Sequence, residues 1–174
     1  MQNYSNSNRS RQYNRDQGRP QDSEYFERVV QVNRVSKKTK GGDKRSLSVL
    51  VVAGDKKGKV GVGLGKATEV QLAVRKATTY AKKHMIEVPL KGRTIPHQVL
   101  VKIGAAEIIL KPAPIGTGIR AGGAVRVVVE AVGIHDITAK ILGTENKASN
   151  VYATLEALGR LKKPAKKGKD NEVV

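Results

Sequence analysis

Residues 47–66 read LSVLVVAGDKKGKVGVGLGK and hold the strongest structural signal in the first half of the chain. Two apolar runs flank residues 55–58 (DKKG), a combination typical of a tight hairpin turn between two strands. The pattern predicts strands over residues 47–53 and 59–66, joined by that turn.

Three glycines, Gly61, Gly63 and Gly65, recur at every second position of the later strand. Because side chains alternate between the two sides of a strand, these glycines leave bare backbone on one face. Such a face indicates close approach of another backbone or of a ligand. The spacing in GVGLGK fits neither of the usual glycine-rich nucleotide loops, so a mononucleotide site is only a weak alternative.

The pattern adds one strand before this hairpin and one helix after it. Alternating apolar and polar residues predict a strand over residues 27–37, and the lysine-rich residues 37–45, with their Gly-Gly pair, predict a basic loop. Apolar residues spaced three and four apart predict a helix over residues 68–87, with Thr68 as its N-cap and Glu69 in its first turn. The first half is therefore expected to be a βββα unit.

Four basic residues of this helix occur in pairs seven positions apart and should share one outward face. An ordinary solvated helix face is the plain alternative, but three basic features within one small unit favour an RNA surface. These residues are Arg75, Lys76, Lys82 and Lys83.

The second half reads as a sheet covered by two helices, after a linker at residues 88–93. A loop with two prolines and four glycines precedes the first helix, in which Arg126 and Glu130 are expected to pair and which Gly133 should end. The predicted strands cover residues 94–103, 106–111 and 134–142, and the predicted helices cover residues 124–132 and 146–158.

The charge indicates a polyanionic partner. The chain has 174 residues, 33 Lys and Arg against 15 Asp and Glu, and a formal net charge of +18. Sixteen of the basic and five of the acidic residues fall within residues 25–91, which therefore carry +11. A bound phosphate backbone would relieve this self-repulsion. The absence of cysteine excludes disulfides, thiolate zinc sites and cysteine nucleophiles.

Four segments are expected. Residues 1–24 read as a disordered basic extension, because they are too polar to form a core. Residues 25–91 form the βββα domain and residues 92–160 a second α+β domain. Residues 161–174 form a lysine-rich tail, either merely solvated or acting as a phosphate-neutralising arm. No apolar run long enough to span a membrane is present.

Four motifs together resemble the bacterial family of small-subunit ribosomal protein five. They are VNRVSK at residues 32–37, KGG at 40–42, GVGLGKA at 61–67 and GTGIRAGGA at 116–124. They stand in the family's order, and the likeness covers roughly residues 24–160, including the last predicted helix. The N-terminal extension and the lysine tail depart from the shorter bacterial forms.

The resemblance implies a variant of the double-stranded-RNA-binding fold for the first half. For the second half it implies a fold shared with part of certain small-molecule kinases. It also implies a cytoplasmic location in the small ribosomal subunit, on 16S-type ribosomal RNA, beside ribosomal proteins four and eight. The family supports decoding accuracy and lines the path by which messenger RNA enters. By analogy, residues 34–44 touch RNA near the neck of the subunit, close to the spectinomycin site.

The expected RNA contacts are to phosphates and to RNA shape. Because the chain has one Phe and scattered tyrosines, a base-stacking platform is not expected. The resemblance places a contact with protein four around Gly118, Arg120 and Arg126. No catalytic residue, metal or cofactor is expected. The residues predicted to contact ribosomal RNA are Arg34, Lys37, Lys38, Lys40, Gly41, Gly42, Lys44, Arg45, Lys56, Lys57, Lys59, Gly61, Gly63, Gly65, Lys66, Arg75, Lys76, Lys82 and Lys83.

Two other functions remain open from sequence alone. The loop at residues 116–123 resembles phosphate loops of small-molecule kinases, and such an enzyme would need a carboxylate near it. Glu107, Glu130 and Asp136 are the nearest candidates, but Glu130 is expected to pair with Arg126 and the other two are expected at the surface. The isolated His84, His97 and His135 read as structural or exposed. The second alternative is a free RNA chaperone.

Overall fold

A computed structural model describes residues 25–162. The predicted N-terminal extension and nearly all of the lysine-rich tail lie outside this range. The elements in chain order are β1 (Phe26–Thr39), β2 (Gly42–Gly54), β3 (Lys59–Ala67), α1 (Val70–Lys83), β4 (Ile86–Glu87), β5 (Val99–Ile103), β6 (Ala106–Pro112), β7 (Ile119–Arg120), α2 (Gly123–Val132), β8 (Ile137–Ile141) and α3 (Lys147–Gly159). The predicted α+β class is confirmed.

Two four-stranded sheets carry the fold. The first is antiparallel, in the order β1-β2-β3-β4, and α1 packs on one of its faces. The second has the order β5-β6-β8-β7, in which only β7 and β8 run parallel. Helices α2 and α3 pack against each other and against both sheets. The predicted βββα unit is therefore present, with the short β4 added after its helix.

The helix predicted over residues 68–87 is shorter at both ends. Glu69, with extended backbone, occupies the N-cap position in place of Thr68, and it makes no side-chain capping bond. The helix ends at Lys83 because His84 leaves helical geometry and Ile86 and Glu87 then pair with β3. Their backbone groups are satisfied by the sheet instead of by another helical turn.

The predictions for the second half are close, except at two strands. β5 begins only at Val99, and β8 covers residues 137–141 rather than 134–142. Both helices are confirmed within one residue at each end. Gly133 ends α2 in the left-handed conformation, with φ of 91°. The side chain of Asn146 caps α3 by accepting a hydrogen bond from Ala148 N at 3.0 Å.

One apolar core joins the two halves. Leu50, Val52, Val60 and Val62 of the first sheet belong to the same buried cluster as α2, α3 and the second sheet. A smaller cluster, including Val49 and Val51 of β2, lies on the opposite face beneath α1. The first sheet is thus covered on both faces. The predicted domain boundary between residues 91 and 92 stays a prediction.

Candidate nucleic-acid interface

The basic segment predicted as a loop is the end of a long two-stranded ribbon. β1 and β2 stay paired up to Thr39 and Gly42, so that only residues 40 and 41 form the turn. β3 pairs with β2 only as far as Leu47. The last five residue pairs, from Val35–Ser46 to Thr39–Gly42, therefore have no third strand and extend roughly 15 Å. We call residues 35–46 the basic ribbon.

The basic ribbon carries charge that no packing role explains. Its five cationic side chains are exposed and outnumber the single acid, Asp43. Lys37 and Lys44 are direct cross-strand partners, and like charges facing each other destabilise a strand pair. An anion bound at this position would relieve that repulsion. The cations are Lys37, Lys38, Lys40, Lys44 and Arg45.

The turn at residues 55–58 forms as predicted, and its backbone N–H groups make hydrogen bonds within the fold. Asp55 Oδ1 accepts from Lys57 N at 2.7 Å and from Lys59 N at 2.9 Å. Lys56 N donates to Ala131 O and Gly58 N to Val132 O, which ties the turn to the end of α2. The side chains of Lys56, Lys57 and Lys59 remain exposed, although Lys56 Nζ lies 4.6 Å from the ring centroid of Phe26.

The glycine face of β3 meets a helix and not a ligand. A Cβ built on Gly61, Gly63 or Gly65 would lie 2.0–2.1 Å from the carbonyl oxygens of α1. All three glycines are buried. The prediction that they contact RNA is therefore wrong, and of the two interpretations of this face, close approach of another backbone is the one observed.

The outward face of α1 is basic as predicted. Arg75, Lys76, Lys82 and Lys83 are all exposed. Lys82 Nζ lies 2.8 Å from Glu27 Oε1, so its charge is already partly paired within the chain. Arg75, Lys76 and Lys83 line a shallow depression together with Thr79 and Tyr80.

These basic features do not form one patch. The basic ribbon and the turn at residues 55–58 lie at opposite ends of the 13-residue strand β2, which puts them about 40 Å apart. Arg34 lies at the base of the basic ribbon, opposite Leu47. Lys66 is exposed opposite Ser48, on the face of β3 away from α1. A partner that touches all of them must be large.

The three predicted protein-interface residues do come together. Gly118 has φ of 71° and leads directly into β7, which includes Arg120. The guanidinium of Arg126, on α2, donates back to Ile119 O at 3.0 Å. Arg126 does not pair with Glu130 as predicted, because Arg28 of β1 reaches Glu130 Oε2 at 2.6 Å.

Asp136 is the residue whose position the sequence misjudged most. The sequence predicts it at the surface, but it is only 1% exposed. Its Oδ1 accepts from Gly116 N and Gly118 N, each at 3.0 Å, and so holds the loop before β7. Arg93 Nε lies 3.4 Å from Oδ2, close enough for an ion pair but without hydrogen-bond geometry. The sequence signal was a loop rich in glycine, whose backbone N–H groups need an acceptor.

The other two carboxylates considered for a kinase-like site each lie beside a basic residue of the chain. Glu130 pairs with Arg28, and Glu107 lies opposite Lys102 in the second sheet. Among residues 25–162, no group of three His, Cys, Asp or Glu side chains could hold a metal ion. Within the same range, no helix is both long enough and apolar enough to cross a membrane.

One tyrosine, Tyr80, forms a ring stack with a histidine at the end of α1. The Tyr80 ring stacks on His84 with 4.1 Å between centroids. The sequence signal was their spacing of four residues within the helix predicted over residues 68–87. His97 is half-buried and His135 is exposed.

A strongly basic α+β chain with a protruding cationic ribbon has the features of a protein that binds a polyanion. The family model of ribosomal protein S5, N-terminal domain, matches residues 25–89, and that of ribosomal protein S5, C-terminal domain, matches residues 101–170. The chain therefore belongs to the ribosomal protein S5 family, as its four motifs indicated. It is a structural, RNA-binding ribosomal protein of the small subunit.

Proposed function

We propose that this chain binds 16S-type ribosomal RNA chiefly through the basic ribbon, as a structural constituent that supports translational accuracy. The proposal rests on one observation: five cationic side chains are exposed on a two-stranded extension that no third strand joins. Side chains on such an extension can follow phosphates without disturbing the fold behind them. The outward face of α1 supplies additional contacts, as do Lys56, Lys57 and Lys59 at the other end of β2. The RNA surface is therefore extended.

The salt dependence of RNA binding tests the role of the basic ribbon. A variant with Lys37, Lys38, Lys40 and Lys44 changed to Gln should bind ribosomal RNA more weakly. The slope of log affinity against log salt should flatten by roughly 0.7–0.9 for each phosphate that the variant no longer neutralises.

A second variant serves as the charge-matched control. Lys102, Lys111, Lys140 and Lys147 are exposed in the second half. Changing these four to Gln removes the same charge, yet it should leave the slope nearly unchanged. Equal flattening in both variants would mean that net charge, and not the basic ribbon, governs binding.

The second half is proposed to contact ribosomal protein four through Gly118, Arg120 and Arg126, with protein eight and messenger RNA as further neighbours. The support is that Asp136 and Arg126 fix the backbone around Gly118 and Ile119, which presents an ordered surface. Changing Arg120 to Glu should weaken binding to purified protein four, whereas Lys111→Glu should not. Unaltered affinity in Arg120→Glu would remove Arg120 from that interface.

Association with the subunit is tested separately. The chain should sediment with small subunits at one copy each through a moderate salt wash. A free RNA chaperone would leave the subunit fraction under the same conditions.

A further inference from the structure

Two exposed rings form a stack at the C-terminal end of α1, where Tyr80 lies in the last turn and His84 follows the helix directly. Tyr80 and His84 lie one helical turn apart, with 4.1 Å between ring centroids and 26° between ring planes. Tyr80 remains 50% exposed even though one face of its ring is covered by His84. An aromatic ring held in place but half open to solvent is an unusual surface feature in a chain with so few aromatics.

A further exposed ring is affected electrostatically by Tyr80. Tyr152, on α3, is 42% exposed. Partial burial, and then the charge of Tyr80, raise the pKa of Tyr152 above its usual value. The stacked rings of Tyr80 and His84 are the feature fixed by direct contact, and we call these two rings the aromatic patch.

Cations surround the aromatic patch on its α1 side. Arg75, Lys76 and Lys83 line the same depression as Tyr80, which has a volume of about 380 Å³. No salt bridge engages these three side chains within residues 25–162, unlike Lys82, which is held by Glu27. The charges available here thus favour an anionic occupant.

We propose that the aromatic patch stacks an unpaired RNA base on Tyr80, while Arg75, Lys76 and Lys83 hold the phosphates beside that base. Aromatic rings stack any base, because every base has a π face, and flanking cations follow the backbone. A protein partner fits this surface less well, because lysine is depleted at protein–protein interfaces and two of the three flanking cations are lysines. The proposal rests on the proposed function only in needing RNA as the neighbour.

The full chain can be tested with two oligomers of equal charge. One is a 12-nucleotide oligoadenylate RNA, and the other is a 12-unit ribose-phosphate strand without bases. The wild-type chain should bind the oligoadenylate roughly five- to 150-fold more tightly for each stacked base. Tyr80→Ala should remove this preference, whereas Tyr80→Phe should keep it.

Two controls separate stacking from helix stability and from charge. Leu72→Ala shortens another exposed apolar side chain of α1, which is 44% exposed, and should leave the base preference intact. Changing the four lysines of the basic ribbon to Gln should lower the affinity for both oligomers by the same factor.

Three results would overturn the proposal. The first is equal wild-type affinity for the two oligomers. The second is an unchanged preference in Tyr80→Ala. The third is release of a ribosomal protein from subunits containing Tyr80→Ala with both RNA affinities unaltered, which would make the aromatic patch a protein contact. Failure of the wild-type chain to bind either oligomer or ribosomal RNA would count against the proposed function itself. In that case the chain should also fail to sediment with small subunits.

Discussion

Asp136 illustrates how one buried carboxylate organises a loop. Gly116 and Gly118 have φ of 91° and 71°, so this backbone cannot make the regular hydrogen bonds of a strand there. A single oxygen of Asp136 accepts both of their N–H groups. The loop that leads to Arg120 is therefore fixed by a side chain 18 to 20 positions later in the chain.

Removal of this acceptor should loosen the loop. Asp136→Ala leaves two N–H groups without a partner and should lower the free energy of unfolding by about 1–3 kcal/mol. Asp136→Asn keeps an acceptor oxygen and should cost less. Urea denaturation measures both changes in stability, and hydrogen exchange at the Gly116 and Gly118 amides should accelerate in Asp136→Ala. Unchanged exchange there would contradict the role of the carboxylate.

The glycines of β3 leave no space for a side chain beneath α1. A Cβ at Gly63 would lie 2.0 Å from Ala77 O, and a backbone oxygen inside a packed helix has little room to move. Gly63→Ala should therefore destabilise the free protein by about 3 kcal/mol through overpacking. Gly123→Ala, where nothing lies within 4 Å of the new carbon, should change the stability by less than about 0.5 kcal/mol. Similar melting temperatures for the two variants would refute this account.

At the scale of elements, the sequence predicted the type of nearly every strand and helix but not what limits each one. Alternation and spacing reflect which face is buried, and that is a local property. The end of α1 depends on β4 pairing with β3, and the cover over the glycines depends on where α1 lies. The basic residues of the ribbon could be predicted because their charge is local. The pairing of Glu130 with Arg28, 102 positions away, could not.

The like charges of the basic ribbon should lower the stability of the free protein and raise its affinity for RNA. Changing Lys37 to Glu places opposite charges across from each other at Lys44 and should stabilise the free protein by roughly 0.2–1 kcal/mol. The same change should weaken RNA binding. Lys102 already faces Glu107, so Lys102→Glu creates a like-charged pair and should destabilise by a similar amount without weakening RNA binding. Denaturation and RNA titration of both variants measure the two effects, and a drop in stability in Lys37→Glu would contradict the prediction.

At the scale of the whole molecule, the two family domains are joined by backbone as well as by side chains. The turn at residues 55–58 donates hydrogen bonds to Ala131 O and Val132 O. Neighbouring glycines allow the close approach, because a Cβ on Gly54 or Gly133 would lie 2.1 Å from backbone oxygen across the junction. Neither half can be removed without exposing apolar surface of the shared core.

This junction predicts that residues 25–162 unfold in one cooperative step. Leu50 is 2% exposed and lies in the cluster that includes both halves, so Leu50→Ala should cost about 2–5 kcal/mol and lower the stability of both halves together. Two independent domains would instead leave the second half at its original melting temperature. Amide hydrogen exchange resolves the two cases, because protection in β6 and α3 should fall with that in β2. If exchange in β6 and α3 stays at the wild-type rate in Leu50→Ala, the halves are energetically separate, and the shared core does not couple them.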